Sequence, residues 1–217
     1  MFHLVNLQVF FVIGCSTPAI FNDFRRDFEA QIDLIEKMVA KFTMTPPVTE
    51  VGVVVYSGKG ASMPIDLGAL MIRKDLLSRL ASLDAQDFST GSNVAEGMKM
   101  AADTFRQKRK EGVPQRMLVI IDKKPTSQVD SVVSELNRAK VDIVGVGIGD
   151  NLEEDDITRI SRDDFVLLDD TTELKNAFVD LVDDITGMYT SPFYIPCILD
   201  LAIRVSYINY HCSYVVL

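Results

Sequence analysis

Hydroxyl and carboxylate side chains gather in three short polar loops of this 217-residue chain, each beside an apolar run. The loops are Gly14-Cys-Ser-Thr-Pro18, Thr90-Gly-Ser-Asn93 and Asp122-Lys-Lys-Pro125. A serine hydrolase would need a histidine within reach of its nucleophile. The only histidines are His3 and His211, at the two ends, and Ser16 lacks the Gly-x-Ser-x-Gly turn that exposes such a nucleophile. Cys15 has no basic neighbour in sequence to lower its thiol pKa, so it reads as a small buried filler. Gly145-Val-Gly-Ile-Gly149 follows an apolar run, but its Gly-x-Gly-x-Gly spacing differs from the phosphate-cradling Gly-x-Gly-x-x-Gly. Those glycines are expected to permit a tight strand-to-helix turn. No Walker loop or cysteine–histidine zinc spacing is present.

The elements that must position these loops alternate between strand and helix patterns. Val9 to Gly14 is a continuous apolar run, the pattern of a central strand buried on both faces. A helix is predicted from about Ile20 to Phe42, with Phe21, Phe24, Phe28, Ile32, Ile35, Met38, Val39 and Phe42 on one side. Thr45-Pro-Pro47 ends it. Val51 to Tyr56 is a second central strand, Ser57-Gly-Lys-Gly60 a hairpin turn, and Ala61 to Ile65 an antiparallel edge strand. Helices are expected near Ala69 to Leu83 and from Asn93, whose spacing to Glu96 suits a capping box; Val94, Met98, Ala101, Ala102 and Phe105 form the buried stripe. Met117 to Ile121, Val141 to Val146 and Phe165 to Leu168 complete the strands. Between them Val129, Val132, Val133 and Leu136 face inward, and Asn151 with Glu154 forms a second capping box. The closing helix buries Leu174, Ala177, Phe178, Leu181, Val182 and Ile185. The predicted fold class is α/β: a doubly wound, mostly parallel six-stranded sheet with one antiparallel edge strand and helices on both faces. In such sheets ligands bind at the carboxyl ends of the strands, where the three loops converge.

Composition narrows the function further. Hydrophobic residues are 47% and charged residues 24% of the chain, an ordinary globular balance. A net charge of −9 argues against non-specific nucleic-acid binding, which needs a basic surface to displace counterions. The acidic stretches Asp150 to Asp156 and Asp163 to Asp170 read as solvated loops and helix starts. The three cysteines, Cys15, Cys197 and Cys212, are too few for a disulfide scaffold, although a Cys197–Cys212 bridge could form in an oxidising compartment. Val12-Ile-Gly-Cys15 has the look of a lipoprotein cleavage box, but cleavage there would remove the strand on which the first helix depends. From 188 to 217 the chain is an apolar tail interrupted by Pro192, Pro196, Asp200 and Arg204, with no unbroken apolar span of about 20 residues. Its readings are membrane contact through residues 193–217, a packed accessory segment, or a tail foreign to the domain.

Taken in order, Phe21, Val51-Gly-Val-Val-Val-Tyr56, Thr90-Gly-Ser-Asn93, Met117-Leu-Val-Ile-Ile-Asp122 and Asp142-Ile-Val-Gly-Val-Gly-Ile-Gly-Asp150 resemble the von Willebrand factor A domain family over residues 8–187. The resemblance implies a metal-ion-dependent adhesion site, in which Asp-x-Ser-x-Ser, a Thr and a further Asp supply hard oxygen ligands to a divalent cation, usually magnesium. Carried over residue by residue, Ser16, Ser92 and Asp122 keep ligand positions, whereas Gly14 stands for the first Asp and Pro18 for the second Ser. The expected site is therefore incomplete, with no cofactor beyond weak magnesium binding. Lys123 or Lys124 is expected either to neutralise Asp122 in place of the ion or to stand in solvent. The function implied is a non-catalytic module binding a protein ligand without a metal, in an extracellular or cell-surface setting. The alternatives are a scaffold domain of a larger extracellular assembly and a nucleotide- or flavin-binding enzyme.

Overall fold

The fold was analysed in a computed structural model that describes residues 6–15, 24–42, 44, 49–83, 92–126, 128–162 and 164–186. Strand β1 (Leu7–Gly14) is buried along its whole length, as its unbroken apolar run requires of a central strand. It lies between β2 (Thr49–Ser57) and β4 (Gln115–Ile121), parallel to both. The hairpin partner β3 (Gly60–Ile65) is antiparallel to β2, while β5 (Val141–Ile148) and β6 (Phe165–Leu168) extend the parallel sheet. The order β3-β2-β1-β4-β5-β6 is the mostly parallel six-stranded sheet expected. The chain moves outward from β1 in both directions, which places the switch point of the winding between β1 and β4.

Helices α1 (Phe24–Lys41), α2 (Arg73–Ala81) and α6 (Leu174–Thr186) cover one face, packing on Val9, Phe11 and Ile13 of β1 and on Leu118, Ile120, Val144 and Val146. On the other face α3 (Val94–Gln107), α4 (Val129–Arg138) and α5 (Glu154–Ser161) pack on Phe10, Val12, Tyr56, Met117, Val119 and Ile121. The alternation along β1 thus divides the core between two helical layers. In α1 the predicted stripe Phe28, Ile32, Ile35, Met38, Val39 and Phe42 is buried. Phe21 lies outside the described residues. The closing helix keeps Leu174, Ala177, Leu181 and Ile185 buried, with Phe178 and Val182 half-buried against the same cluster.

Local signals were less faithful than the layers. Helix α2 starts at Arg73 rather than near Ala69, because Gly68, at φ +71, turns the chain first. Asn93 does precede α3, but its side chain donates to Glu96 Oε2 at 2.7 Å instead of capping the backbone. The second capping box forms two residues later than expected, between Glu153 and Asp156. At the amino-terminal edge of the sheet, buried Gln8 is satisfied by Glu50 Oε2 at 2.7 Å, Lys108 O at 2.9 Å and Gln115 Nε2 at 2.8 Å.

Candidate functional site

Position 14, a glycine where the resemblance implies a carboxylate, lies at the carboxyl end of β1 opposite Tyr56 of β2. The Tyr56 side chain is on the α3-covered face, fully buried, and crosses above Gly14 to donate its hydroxyl to Ile120 O of β4 at 2.6 Å. A Cβ at position 14 would stand 2.9 Å from Tyr56 Oη and 3.1 Å from Cζ, so the phenol occupies the space a side chain there would need. On the other side of the tyrosine, a Cβ at Gly97 of α3 would approach Tyr56 Cβ to 3.1 Å and Cδ1 to 3.3 Å. Two residues without side chains therefore form the seat of one large one.

The backbone of Gly14 is held from the opposite side. Gln31 of α1, 6% exposed, accepts from Gly14 N and donates to Gly14 O, each at 3.2 Å. Cys15 N donates to Tyr56 O at 2.8 Å, continuing the ladder one residue beyond the strand. Cys15 itself is buried, matching its reading as a filler.

Ser92 and Asp122 both come to the Tyr56 phenol. Burial pushes its pKa well above the ordinary value, and the charge of Asp122 pushes the same way. The phenol consequently stays protonated, as its donation to Ile120 O requires. The Ser92 hydroxyl, being near, acts in the opposite direction, although its buried Oγ makes no hydrogen bond of regular geometry. Ser16 and Pro18 fall outside the described residues. Of the lysines after β4, Lys123 is half-buried, while Lys124 turns to the amino end of α5 and bridges Glu153 Oε1 at 3.0 Å and Asp156 Oδ2 at 3.3 Å. Lys124 is thus directed to the acidic start of α5, where hydrogen bonds to Glu153 and Asp156, with their charges, raise its pKa.

Tyr56 is the neighbour of Gly14, Ser92 and Asp122 that strand patterning concealed. A large aromatic pairing in register with a glycine on the neighbouring strand was the available signal, because side chains of paired residues share a face. The glycines of 145–149 have a packing role too. Gly145 and Gly147 lie within β5, where added Cβ atoms would meet Ser161 Oγ and Leu167 Cδ2 at 2.6 Å each, and only Gly149, at φ +109, serves the turn. They let α5 and β6 approach the strand and cradle no phosphate-binding loop of the dinucleotide spacing.

Comparison with known proteins agrees with this architecture. The model of the von Willebrand factor type A domain matches residues 9–186. The collagen alpha-1(XXI) chain of Xenopus laevis is 24% identical over 136 residues, covering 63% of this chain and 14% of its own length. This chain therefore spans about one seventh of that curated relative. Proximal thread matrix protein 1 from the mussel byssus superposes with a TM-score of 0.73 at 15% identity, over 83% of this chain and 47% of that one. A further structure of that protein, with zinc occupying its MIDAS motif, gives a TM-score of 0.71 at 16% identity, over 82% and 45% of the two chains. BatB of Bacteroides thetaiotaomicron gives 0.68 at 16% identity, over 84% of this chain and 98% of that one. With the family model spanning the whole sheet and every helix packed on it, the chain belongs to the von Willebrand factor type A domain family.

Proposed function

We propose that this domain is a non-catalytic protein-binding module that engages its ligand without a bridging divalent cation, in an extracellular or cell-surface setting. The observation that carries the reading is Gly14: the residue that would supply a carboxylate at the crest of β1 has no side chain. A magnesium ion binds through an octahedron of hard oxygens and sheds water reluctantly, so losing an anionic ligand weakens it severely. The donors left among Ser16, Ser92 and Asp122 are one carboxylate and two hydroxyls, with Pro18 contributing none. The residues present therefore do not fit the ion, and no step of recognition is derived through it.

Family membership supports the binding role, and the printed names of the matrix relatives, a collagen chain and a byssal matrix protein, support the setting. Fold alone does not select a partner. What remains for recognition is the polar and apolar surface of the loop edge and the flanking helices. The test is a solid-phase screen of the full chain against purified matrix proteins, including fibrillar collagens, with and without EDTA. Binding that survives the chelator unchanged is the expected result. Binding abolished by EDTA and restored by magnesium would overturn the reading, as would micromolar magnesium affinity in calorimetry.

A further inference from the structure

We propose that the outer edge of β6 is a ligand site of this domain, taking an extended, basic-ended segment of a partner protein as a further strand. The inference goes beyond the binding role above and does not depend on the state of the cation site. It starts from the way the sheet ends. Among the described residues β6 pairs only with β5, so one side of its backbone faces away from the sheet. Gly145 N and Gly149 N of β5 donate to Asp164 O and Leu168 O, each at 2.8 Å. Alternation along the parallel ladder turns Val166 towards β5 as well, and leaves the N–H and C=O of Phe165 and Leu167 pointing outward. No described residue bonds to those outward groups.

The two edges of the sheet differ in sequence. On β3, Pro64 has no N–H to offer, and the register with β2 shifts between Val53 and Val55; both features blunt an edge. β6 is Phe165-Val-Leu-Leu168, with no proline or charge in it and an unbroken register. All four side chains are half-buried, Phe165 and Leu167 against the α3–α4–α5 cluster, Val166 and Leu168 against the α1–α2–α6 cluster. Apolar surface is thus left uncovered on both faces of the strand. An added strand covers it while its main chain pairs with Phe165 and Leu167. Charge selects the occupant. Exposed Asp150 and Asp169 follow the paired ends of β5 and β6. Asp170 stands beside them, its carboxylate accepting from Thr172 N at 2.6 Å and offset by the charge of Arg26. A second copy of this chain, at net −9, brings like charges to that end, whereas lysine or arginine is attracted there.

The probe is the peptide Lys-Lys-Val-Thr-Val-Thr-Val-Lys-Lys, blocked at both ends and titrated into the full chain in EDTA. Amide exchange followed by NMR should find Phe165 and Leu167 unprotected, and Val166 and Leu168 protected, before peptide is added. Saturating peptide should slow exchange at Phe165 and Leu167 at least about tenfold. Methylating the backbone nitrogens of the peptide's valines and threonines keeps every charge and should weaken binding at least about tenfold, as should glutamate in place of its lysines. Leu167→Pro removes one outward donor and no bond to β5, and should weaken binding to a similar degree. Should that variant fail to fold, the methylated peptide still decides. Equal affinity for the methylated and unmethylated peptides leaves charge attraction alone and overturns the proposal, as does no binding at millimolar peptide. Protection of Phe165 and Leu167 that vanishes when residues 188–217 are removed would make the tail the occupant of the edge. Protection that grows with protein concentration would make it a second copy; either result overturns the assignment of a basic partner. Failure on any of these counts leaves the metal-independent reading standing, because no measurement involves the loops after β1 and β4.

Discussion

Gln31 is a buried polar residue on the core-facing side of α1, and its reason is the backbone of Gly14. Its amide matches one donor and one acceptor at the end of β1. Replacing it by leucine keeps the volume and strands both backbone groups. The expected cost is about 2–4 kcal/mol, the sum for two buried polar groups left without partners. A shift of the urea midpoint with unchanged m-value would measure it; a cost below about 0.5 kcal/mol, typical of a neutral surface change, would contradict it. Glu50 offers a second residue-scale prediction. Burial alone would raise its carboxyl, but donation from Gln8 and Lys110, with the nearby charges of Lys110 and Lys108, holds it below its usual range. A carboxyl whose folded pKa is depressed stabilises the fold above its unfolded value, about 4.3, and loses that contribution as pH falls through the folded value. Glu50→Gln should therefore be less stable than wild type at pH 7, with the gap closing on acidification below about pH 4.3. Denaturant melts at a series of pH values would show it, and a gap that does not close would argue against the pairing.

At the scale of elements, close approach between β5, α5 and β6 depends on what is absent. Gly145 faces Ile157 and Ser161 of α5, with side-chain atoms 2.6–2.9 Å from a notional Cβ. Gly145→Val should push α5 outward and destabilise the fold by about 1–3 kcal/mol, as overpacking does. Chemical denaturation would give the cost, and increased hydrogen exchange confined to α5 and β6 would give its location; exchange spread evenly over the sheet would speak against the mechanism. The same glycines explain why the sequence invited a nucleotide-binding reading. Glycine is required both where a phosphate touches backbone and where a helix does, so its spacing had to decide. Apolar periodicity located α1, α3 and α4 well because burial repeats over several turns. It could not locate the caps. Asn151 and Glu154 have the right spacing, but Glu153 and Asp156 have it too, and it is the latter pair that Lys124, from the loop after β4, bridges.

For the whole molecule, the core clusters among the described residues run from Leu7 to Ile185, and we propose that the domain folds without the tail at 188–217. Removing residues 188–217 should therefore leave the thermal midpoint within about 2 °C of the full chain. A larger fall would show that the tail packs on the domain. No helix among the described residues is long and apolar enough to cross a membrane. With a net charge of −9 the chain should also pass through heparin and duplex-DNA columns unretained in about 0.15 M salt. Its layer architecture and mostly parallel sheet were legible in the order of residues, because burial imposes a period on strands and helices, and its family was legible in the motifs that resemble it. So was the glycine at position 14. That Tyr56 comes beside Gly14, Ser92 and Asp122 was decided by packing across three strands. Contacts between residues 42 and 66 positions apart leave no local period to read, and a glycine seen alone does not name the side chain that needs its room.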